Sequence, residues 1–184
     1  MEQTGLGKRH LQDKRLAQHL TFTLSTFMNI SHSVNAIRQP NLNDCWATAS
    51  AMVLRLHGPN VVDEVKRRAS AVRLFPNGSI RPESVHTLAR TLHLRFKDLT
   101  HPLQPLSTHI LTQVLAGSCA AAFGSYNYPG VPTATQHVLL FYRLHGSDTD
   151  PMVYFVDPYT ARSYNYLVSE INEALGSVDY FIYS

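Results

Sequence analysis

A cysteine at the start of a predicted helix is the first group in this sequence that could do covalent chemistry. Cys45 follows Asp44 and precedes Trp46, and an apolar-periodic segment runs on to His57. A thiol at a helix N-terminus feels the positive end of the helix dipole, which favours the nucleophilic thiolate. Gln39 lies six residues upstream, and its side-chain amide could be aimed at the same position. A nucleophile beside an oxyanion donor predicts a cysteine hydrolase.

Such a nucleophile needs a base, and a third group must orient that base. His137 opens an apolar run that predicts a strand, and Asp157 follows the next strand-like run twenty residues later. If these strands pair as an antiparallel hairpin, the start of the first lies beside the end of the second. The pairing therefore predicts contact between His137 and Asp157, with the other imidazole nitrogen facing Cys45.

Each of these residues also has an ordinary structural interpretation. Asp157 could end a strand in a turn, His137 could be a strand-end histidine with its hydrogen bonds satisfied, and Cys45 could be a small buried hydrophobe. Their order and local contexts together favour catalysis. The other cysteine, Cys119, lies in the small-residue apolar run 118–123 and is predicted to be a buried packing residue. Two cysteines make no disulfide scaffold, so both are expected to be reduced.

The elements that must position these groups divide the chain into a helical half and a β half. Helices are predicted over residues 44–57, 61–71, 83–92, 107–116 and 166–175. Strands are predicted over residues 21–30, 94–99, 119–126, 137–144, 153–156 and 178–183. This layout predicts an α+β fold, with the nucleophile helix packed on a C-terminal antiparallel sheet. Residues 1–33 are expected to form a basic extension or linker with a possible first strand, and residues 34–184 one domain.

Composition excludes several function classes. The chain has 184 residues, 44% apolar and 16% charged, as in an ordinary globular protein. The net charge is +3, and much of the basic excess lies in residues 8–15. A basic tail can bind nucleic acid, but it is more often a solvated end. No run approaches the roughly 18 apolar residues of a membrane span. We therefore expect no specific nucleic-acid partner and no membrane span.

Three segments together resemble the papain-like cysteine peptidases. They are Gln39-x5-Cys45-Trp46, then His137-Val-Leu-Leu, then Phe155-Val-Asp157-Pro158, and the resemblance covers about residues 37–160. The six-residue step from glutamine to cysteine and the aromatic residue after the cysteine match that family.

Departures from the family point to its compact bacterial branches. Asn43 and Asp44 replace the glycine-rich flank of the papain signature, and only 92 residues separate Cys45 from His137. One such branch is the peptidase domains of bacteriocin-exporting ABC transporters, and the other is the effector proteases that bacteria inject into host or rival cells. The exporter peptidases usually have glycine where this chain has Trp46, and no ABC transporter follows, which favours the effector branch.

The resemblance implies a papain-like fold and a catalytic triad of Cys45, His137 and Asp157, without a metal or other cofactor. It also implies an oxyanion hole made by the Gln39 side-chain amide and the backbone N–H of Cys45. The loop 126–136 is predicted to form one wall of the substrate groove. Candidate substrate-binding residues are Trp46, Tyr126, Tyr128 and Gln136, although Trp46 is expected mainly to pack under the site.

The function expected from this resemblance is a cysteine endopeptidase acting on protein substrates, with glycine beside the cleaved bond as a further expectation. It would be made in a bacterial cytoplasm and secreted or injected as an effector or interbacterial toxin. A toxin predicts a cognate immunity protein that covers the Cys45 cleft. Three alternatives stay open: a peptidoglycan amidase, a transglutaminase- or deamidase-type acyl transferase with the same triad, and a non-catalytic papain-like module that holds a peptide.

Overall fold

A computed structural model describes residues 26–127 and 135–184 of the protein. The strands are β1 Phe27–Ser31, β2 Arg95–Asp98, β3 Ala120–Tyr126, β4 Thr135–Ser147, β5 Met152–Asp157, β6 Arg162–Leu167 and β7 Gly176–Tyr183. The helices are α1 Cys45–Val53, α2 Val61–Arg68, α3 Val85–Thr91, α4 Thr108–Val114 and the short α5 Val168–Glu170. A 3₁₀ turn, Pro82–Ser84, precedes α3, and a π-helical turn, Ile171–Leu175, follows α5.

The seven strands within these ranges form one antiparallel sheet. Six of them follow the order β2-β7-β3-β4-β5-β6, and β1 lies off this path and pairs with β4. The long strand β4 pairs with β3 through its first half and with β1 through its last residues, where Leu144 lies opposite Ile30. The mixed helix and strand content and the antiparallel sheet of the C-terminal half, both predicted from the sequence, are confirmed. No helix in the described part of the chain is long and apolar enough to cross a membrane.

Both faces of the sheet are covered, which explains why its central strands are apolar without interruption. Side chains alternate along β3, so that Ala121 and Phe123 pack with α1, α2 and α3, whereas Ala120 and Ala122 pack with α4 and the α5 region. The helices therefore form two layers with the sheet between them. The nucleophile helix contacts β3 and β4 directly.

Helix α1 is buried along its whole length, and no residue from Cys45 to Val53 is more than 8% exposed. A helix that is apolar all round belongs inside a protein. It ends at Val53, four residues before the predicted end, and Arg55 then adopts a left-handed backbone conformation with φ of 53°. The apolar-periodic segment predicted as a helix therefore lies inside the protein and is shorter than predicted.

The N-cap residues of α1 and α4 behave differently. Ser107 caps α4, since its Oγ accepts a hydrogen bond from the Ile110 N–H at 3.3 Å. Asp44 occupies the N-cap position of α1 but makes no side-chain capping bond. Its carboxylate instead pairs with Lys66 Nζ at 2.6 Å and accepts a bond from Asn41 Nδ2 at 2.8 Å. The start of the nucleophile helix is therefore held to α2 and to the preceding turn.

The predicted helix 166–175 is wrong at its beginning, because β6 occupies residues 162–167 and α5 begins only at Val168. Tyr164 and Tyr166 both stack on Phe155 of β5, with ring centroids 5.9 Å apart in each pair. Aromatic pairs across neighbouring strands stabilise a sheet. Of the predicted strand 21–30, the described part corresponds to β1, and residues 21–25 lie outside the described ranges.

Candidate active site

The hairpin of β4 and β5 brings His137 and Asp157 together. Leu140 lies opposite Val156, so Asp157 at the end of β5 comes close to the first residues of β4. The Nε2 atom of His137 is 2.8 Å from Oδ1 of Asp157, and both side chains are largely buried. The contact expected from antiparallel pairing is therefore present, through Nε2 of the imidazole.

Asp157 is held by more than the histidine. Its Oδ1 accepts a hydrogen bond from the Tyr159 N–H at 2.9 Å, and its backbone carbonyl accepts one from the Ala161 N–H at 2.8 Å. The following residue, Pro158, offers its carbonyl to the Gln39 N–H at 2.8 Å. The turn after β5 thus fixes the carboxylate and joins it to the segment that leads into α1.

Cys45 is the third member of this row. It is the first residue of α1, is 8% exposed, and lines the same small pocket as His137, close enough to help raise the pKa of that imidazole. Because Nε2 of His137 is engaged by Asp157, Nδ1 is the ring nitrogen that remains for the thiol. The side chains of α1, β4 and β5 therefore line up in the order sulfur, imidazole, carboxylate.

The surroundings of His137 favour its protonated form. Burial by itself lowers the pKa of His137, but the hydrogen-bonding and electrostatic interactions with Asp157 and Cys45 outweigh it and raise the pKa from 6.5 to about 9. An opposite charge and a hydrogen bond to the charged form both stabilise the imidazolium. Near neutral pH the site therefore holds a protonated histidine between a carboxylate and a sulfur atom.

Gln39 is present at the site, but its donors are already in use. The side chain is buried, and its Nε2 donates to the backbone carbonyls of Asn41 at 2.9 Å and Leu42 at 2.7 Å. The amide has only two N–H donors, so both fasten the turn before α1. Its Oε1 has no hydrogen-bond partner among the described residues. An oxyanion role for this amide therefore requires the exchange of one of these bonds for a bond to substrate.

Two candidate substrate-binding residues belong to the core instead. Trp46 is 1% exposed, and its Nε1 donates to the Gly78 carbonyl at 3.2 Å, which anchors the loop 76–79 above α1. Tyr126 is fully buried, and its hydroxyl donates to the Ala122 carbonyl at 3.1 Å. Their burial corrects the expectation of substrate contact for both, while packing of Trp46 under the site agrees with the sequence analysis.

The other two candidates differ from these. Gln136 is exposed beside His137 and reaches the open space around the site. Tyr128 lies outside the described residues, as does the part of the predicted wall from 128 to 134.

Two recesses of different character meet at His137. The larger, which we call the aromatic groove, encloses about 1220 Å³ and runs past Asp157 between rings and apolar side chains that include Leu42, Phe75, Tyr159, Tyr164 and Tyr166. The smaller, which we call the thiol pocket, encloses about 50 Å³ and opens beside Cys45. Its other walls include Ile80, Val85, Phe123, Val138, Asp179 and Tyr180.

Sequence reasoning missed most of these wall residues. Tyr164 and Tyr166 lie in or beside the segment that was predicted to be a helix. The pairing of β6 with β5 places their rings along the aromatic groove that also contains Asp157. Asp179 was not predicted either, because a lone carboxylate within an apolar strand indicates a side chain that faces solvent. Among the described residues, no three histidine, cysteine, aspartate or glutamate side chains converge as metal ligands.

No protein-family model and no curated protein sequence matches this chain. The chemical interpretation of the site therefore depends on its own residues and their geometry.

Proposed function

We propose that this protein is a cysteine peptidase with a papain-like catalytic arrangement. The observation that carries the proposal is one largely buried imidazole that is hydrogen-bonded to Asp157 at 2.8 Å and lines the same pocket as Cys45. A thiol, a base and a group that orients the base are the three parts that nucleophilic catalysis by cysteine needs. Two recesses reach this row from different directions, which gives a substrate room on either side of the reacting carbonyl.

In the first half of the reaction, the Cys45 sulfur attacks the carbonyl carbon of a peptide bond. The C–S bond forms while the π electrons of the carbonyl move to its oxygen. The backbone N–H of Cys45 can donate to this oxyanion, because the first N–H groups of a helix have no acceptor within the helix. His137 then gives its Nδ1 proton to the leaving nitrogen as the C–N bond breaks. The product amine departs and a thioester remains.

In the second half, a water molecule attacks the thioester carbon and transfers a proton to His137. The C–S bond breaks, the carboxylic acid product leaves, and the sulfur and imidazolium return to their starting states. Throughout both halves Asp157 keeps Nε2 protonated and fixes the plane of the ring. Its own bond from the Tyr159 N–H prevents it from turning away.

Burial supports catalysis over passive peptide binding. Asp157 is 4% exposed and the His137 side chain is nearly as inaccessible, so the charged pair loses most of its hydration. Such desolvation is costly, and a binding surface would gain little from it. Perturbed titratable groups clustered at a cleft are typical of catalytic sites. The raised pKa of His137, about 9, is a perturbation of this kind.

A covalent probe tests the proposal directly. We expect one molecule of a peptide vinyl sulfone to add to Cys45 at neutral pH, as measured by mass spectrometry. This modification should abolish cleavage of a fluorogenic peptide library. Cys45→Ala should show neither reaction, and Cys119→Ala should show both. A wild-type protein that neither takes up the probe nor cleaves any library member would overturn the proposal.

The biological setting stays a prediction from the resemblance, and expression in a bacterial cytoplasm addresses it. An effector or toxin protease should inhibit growth in the wild-type form and create new protein N-termini, with glycine beside the cut bonds if that expectation is right. Cys45→Ala should do neither. Equal growth of the two strains would contradict the toxin role, and a co-expressed immunity protein should restore growth by covering the Cys45 cleft.

A further inference from the structure

The thiol pocket owes its acidic wall to an irregularity in the sheet. Between β3 and β7 the register shifts: Phe123 lies opposite Tyr180, but Gly124 lies opposite Val178, so Asp179 is the extra residue of a β-bulge. A Cβ atom on Gly124 would collide with the Ser177 carbonyl, so only glycine permits this close approach. Bulges re-aim a side chain next to functional sites. Here the re-aimed side chain reaches the pocket that Cys45 opens into.

The carboxylate of Asp179 has no cationic partner within the described ranges. Its side chain accepts one hydrogen bond, from the Ser177 hydroxyl at 3.0 Å. Burial and the nearby charge of Asp98 raise the pKa of Asp179 above its ordinary value. A half-buried carboxylate without a counterion is in an unfavourable environment that a bound cation would relieve.

The charge and size of the pocket restrict what this cation can be. Apart from Asp179, the titratable side chains that line the pocket are Cys45, His137 and Tyr180, and Asp157 neutralises the His137 imidazolium from behind. Most of the remaining wall is apolar. A volume of about 50 Å³ holds a few water molecules, which leaves room for an ammonium group on a short stem.

The two recesses also divide the substrate between them. His137 lines both recesses, whereas Cys45 lines only the thiol pocket and Asp157 only the aromatic groove. The acyl group becomes attached to the sulfur of Cys45. The acyl part of the substrate therefore belongs beside the thiol pocket, which leaves the aromatic groove for the leaving part.

We propose that the thiol pocket binds an ammonium group carried by the acyl part of the substrate, with Asp179 as its counterion. This inference rests on the proposed peptidase function and gives it a substrate class. The ammonium can be the free α-ammonium of the first residue of a peptide or a short side-chain ammonium next to the cleaved bond. Both present the same chemistry to Asp179.

Three substrates with the same aminomethylcoumarin leaving group test the proposal: alanyl, N-acetylalanyl and N-acetyl-2,3-diaminopropionyl. We expect one or both ammonium substrates to exceed N-acetylalanyl in kcat/KM by about 10-fold or more. The faster of the two identifies the source of the ammonium. Asp179→Asn should remove the preference, whereas the matched variant Asp98→Asn should keep it. No preference in the wild type, or one that survives Asp179→Asn, would overturn the proposal.

A second measurement separates this proposal from the proposed function. Methanethiosulfonates transfer an alkylthio group to a thiolate with loss of sulfinate, so they report on Cys45 without peptide cleavage. We expect the aminoethyl reagent to modify Cys45 about 10-fold faster than the neutral ethyl reagent, and Asp179→Asn to equalise them. If this ratio holds while no peptide is cleaved, the peptidase function fails and the ammonium site stands. If Cys45-dependent cleavage occurs without either preference, only the ammonium site fails.

Discussion

The two cysteines of this protein are both buried and lie near opposite ends of α1, but their surroundings differ. Cys45 begins α1, is 8% exposed and shares a pocket with a largely buried histidine, His137. Cys119 precedes β3, is 1% exposed and donates weakly from its sulfur to the Met52 carbonyl in the last turn of α1. Burial raises the pKa of Cys119 above its ordinary value, despite the positive charge of Arg55. If Cys45 is the nucleophile that we propose, a neighbouring base and an open pocket, and not exposure alone, distinguish it from a packing residue.

The largest difference should appear when each thiol is removed. Cys45→Ala should lower kcat/KM by at least about 1,000-fold, because it removes the sulfur that forms the covalent intermediate. Cys119→Ala should leave kcat/KM within about threefold and lower the free energy of unfolding by roughly 1 kcal/mol through the lost core contact. Steady-state hydrolysis and urea denaturation of both variants measure these effects. Equal losses of activity would show that the two cysteines do not differ as described.

Gln39→Ala should have the next largest effect. Loss of an oxyanion donor costs roughly 100- to 1,000-fold in kcat, whereas loss of two bonds to the turn before α1 lowers stability by about 1–3 kcal/mol. We expect the loss of stability, because the backbone carbonyls of Asn41 and Leu42 both lose a hydrogen-bond donor. Thermal denaturation beside kcat separates the two roles. A variant with wild-type kcat and reduced stability would assign Gln39 to positioning alone.

The pH dependence of kcat/KM should identify the partner of Cys45. The pKa of His137 is raised to about 9, so the imidazolium that protonates the leaving amine is present at neutral pH and is lost as the pH rises through about 9. Activity should fall over the same interval. Asp157→Asn removes a hydrogen bond and a negative charge that raise this pKa, so its alkaline limb should move to lower pH, and kcat should fall by roughly 100-fold.

An alkaline limb that stays in place in Asp157→Asn would show that the carboxylate does not act through His137. Linkage gives an independent check, because a raised histidine pKa stabilises the folded state fully below pH 6.5 and that contribution disappears as the pH rises through about 9. Denaturation curves across this interval should therefore show a larger loss of stability for the wild type than for His137→Ala.

The smallest effect is expected from Trp46, next to the nucleophile in sequence but buried beneath it. Trp46→Phe removes the hydrogen bond to the Gly78 carbonyl and should lower the free energy of unfolding by about 1 kcal/mol. Since the indole does not reach either recess, KM should stay within about twofold of wild type. A marked rise in KM with unchanged stability would return Trp46 to the substrate-binding residues.

Sequence reasoning predicted correctly the groups whose positions follow from chain order and from the ends of strands. His137 and Asp157 meet because they end neighbouring antiparallel strands, and Cys45 begins a helix whose apolar character is plain in the sequence. The helix also lies at the centre of the core, as the run of apolar and small residues indicates.

What escaped prediction depends on pairing between distant segments. The edge strand β6 has largely exposed side chains, so it lacks the apolar alternation that identifies a strand, and its partner β5 decides its conformation. The orientation of Asp179 depends on a bulge between β3 and β7, which are separated by about 50 residues of chain in sequence. The engagement of the Gln39 amide by two backbone carbonyls depends on the path of the turn, which side-chain types alone do not specify.

The rate at which each cysteine is alkylated tests most directly whether His137 activates Cys45. We expect iodoacetamide at pH 7 to modify Cys45 of the folded wild-type protein at least about 100-fold faster than Cys119, as quantified by peptide mass mapping over time. In His137→Ala this advantage should largely disappear while Cys119 remains protected. Similar rates at the two cysteines of the wild type, or a Cys45 rate unchanged in His137→Ala, would contradict the account.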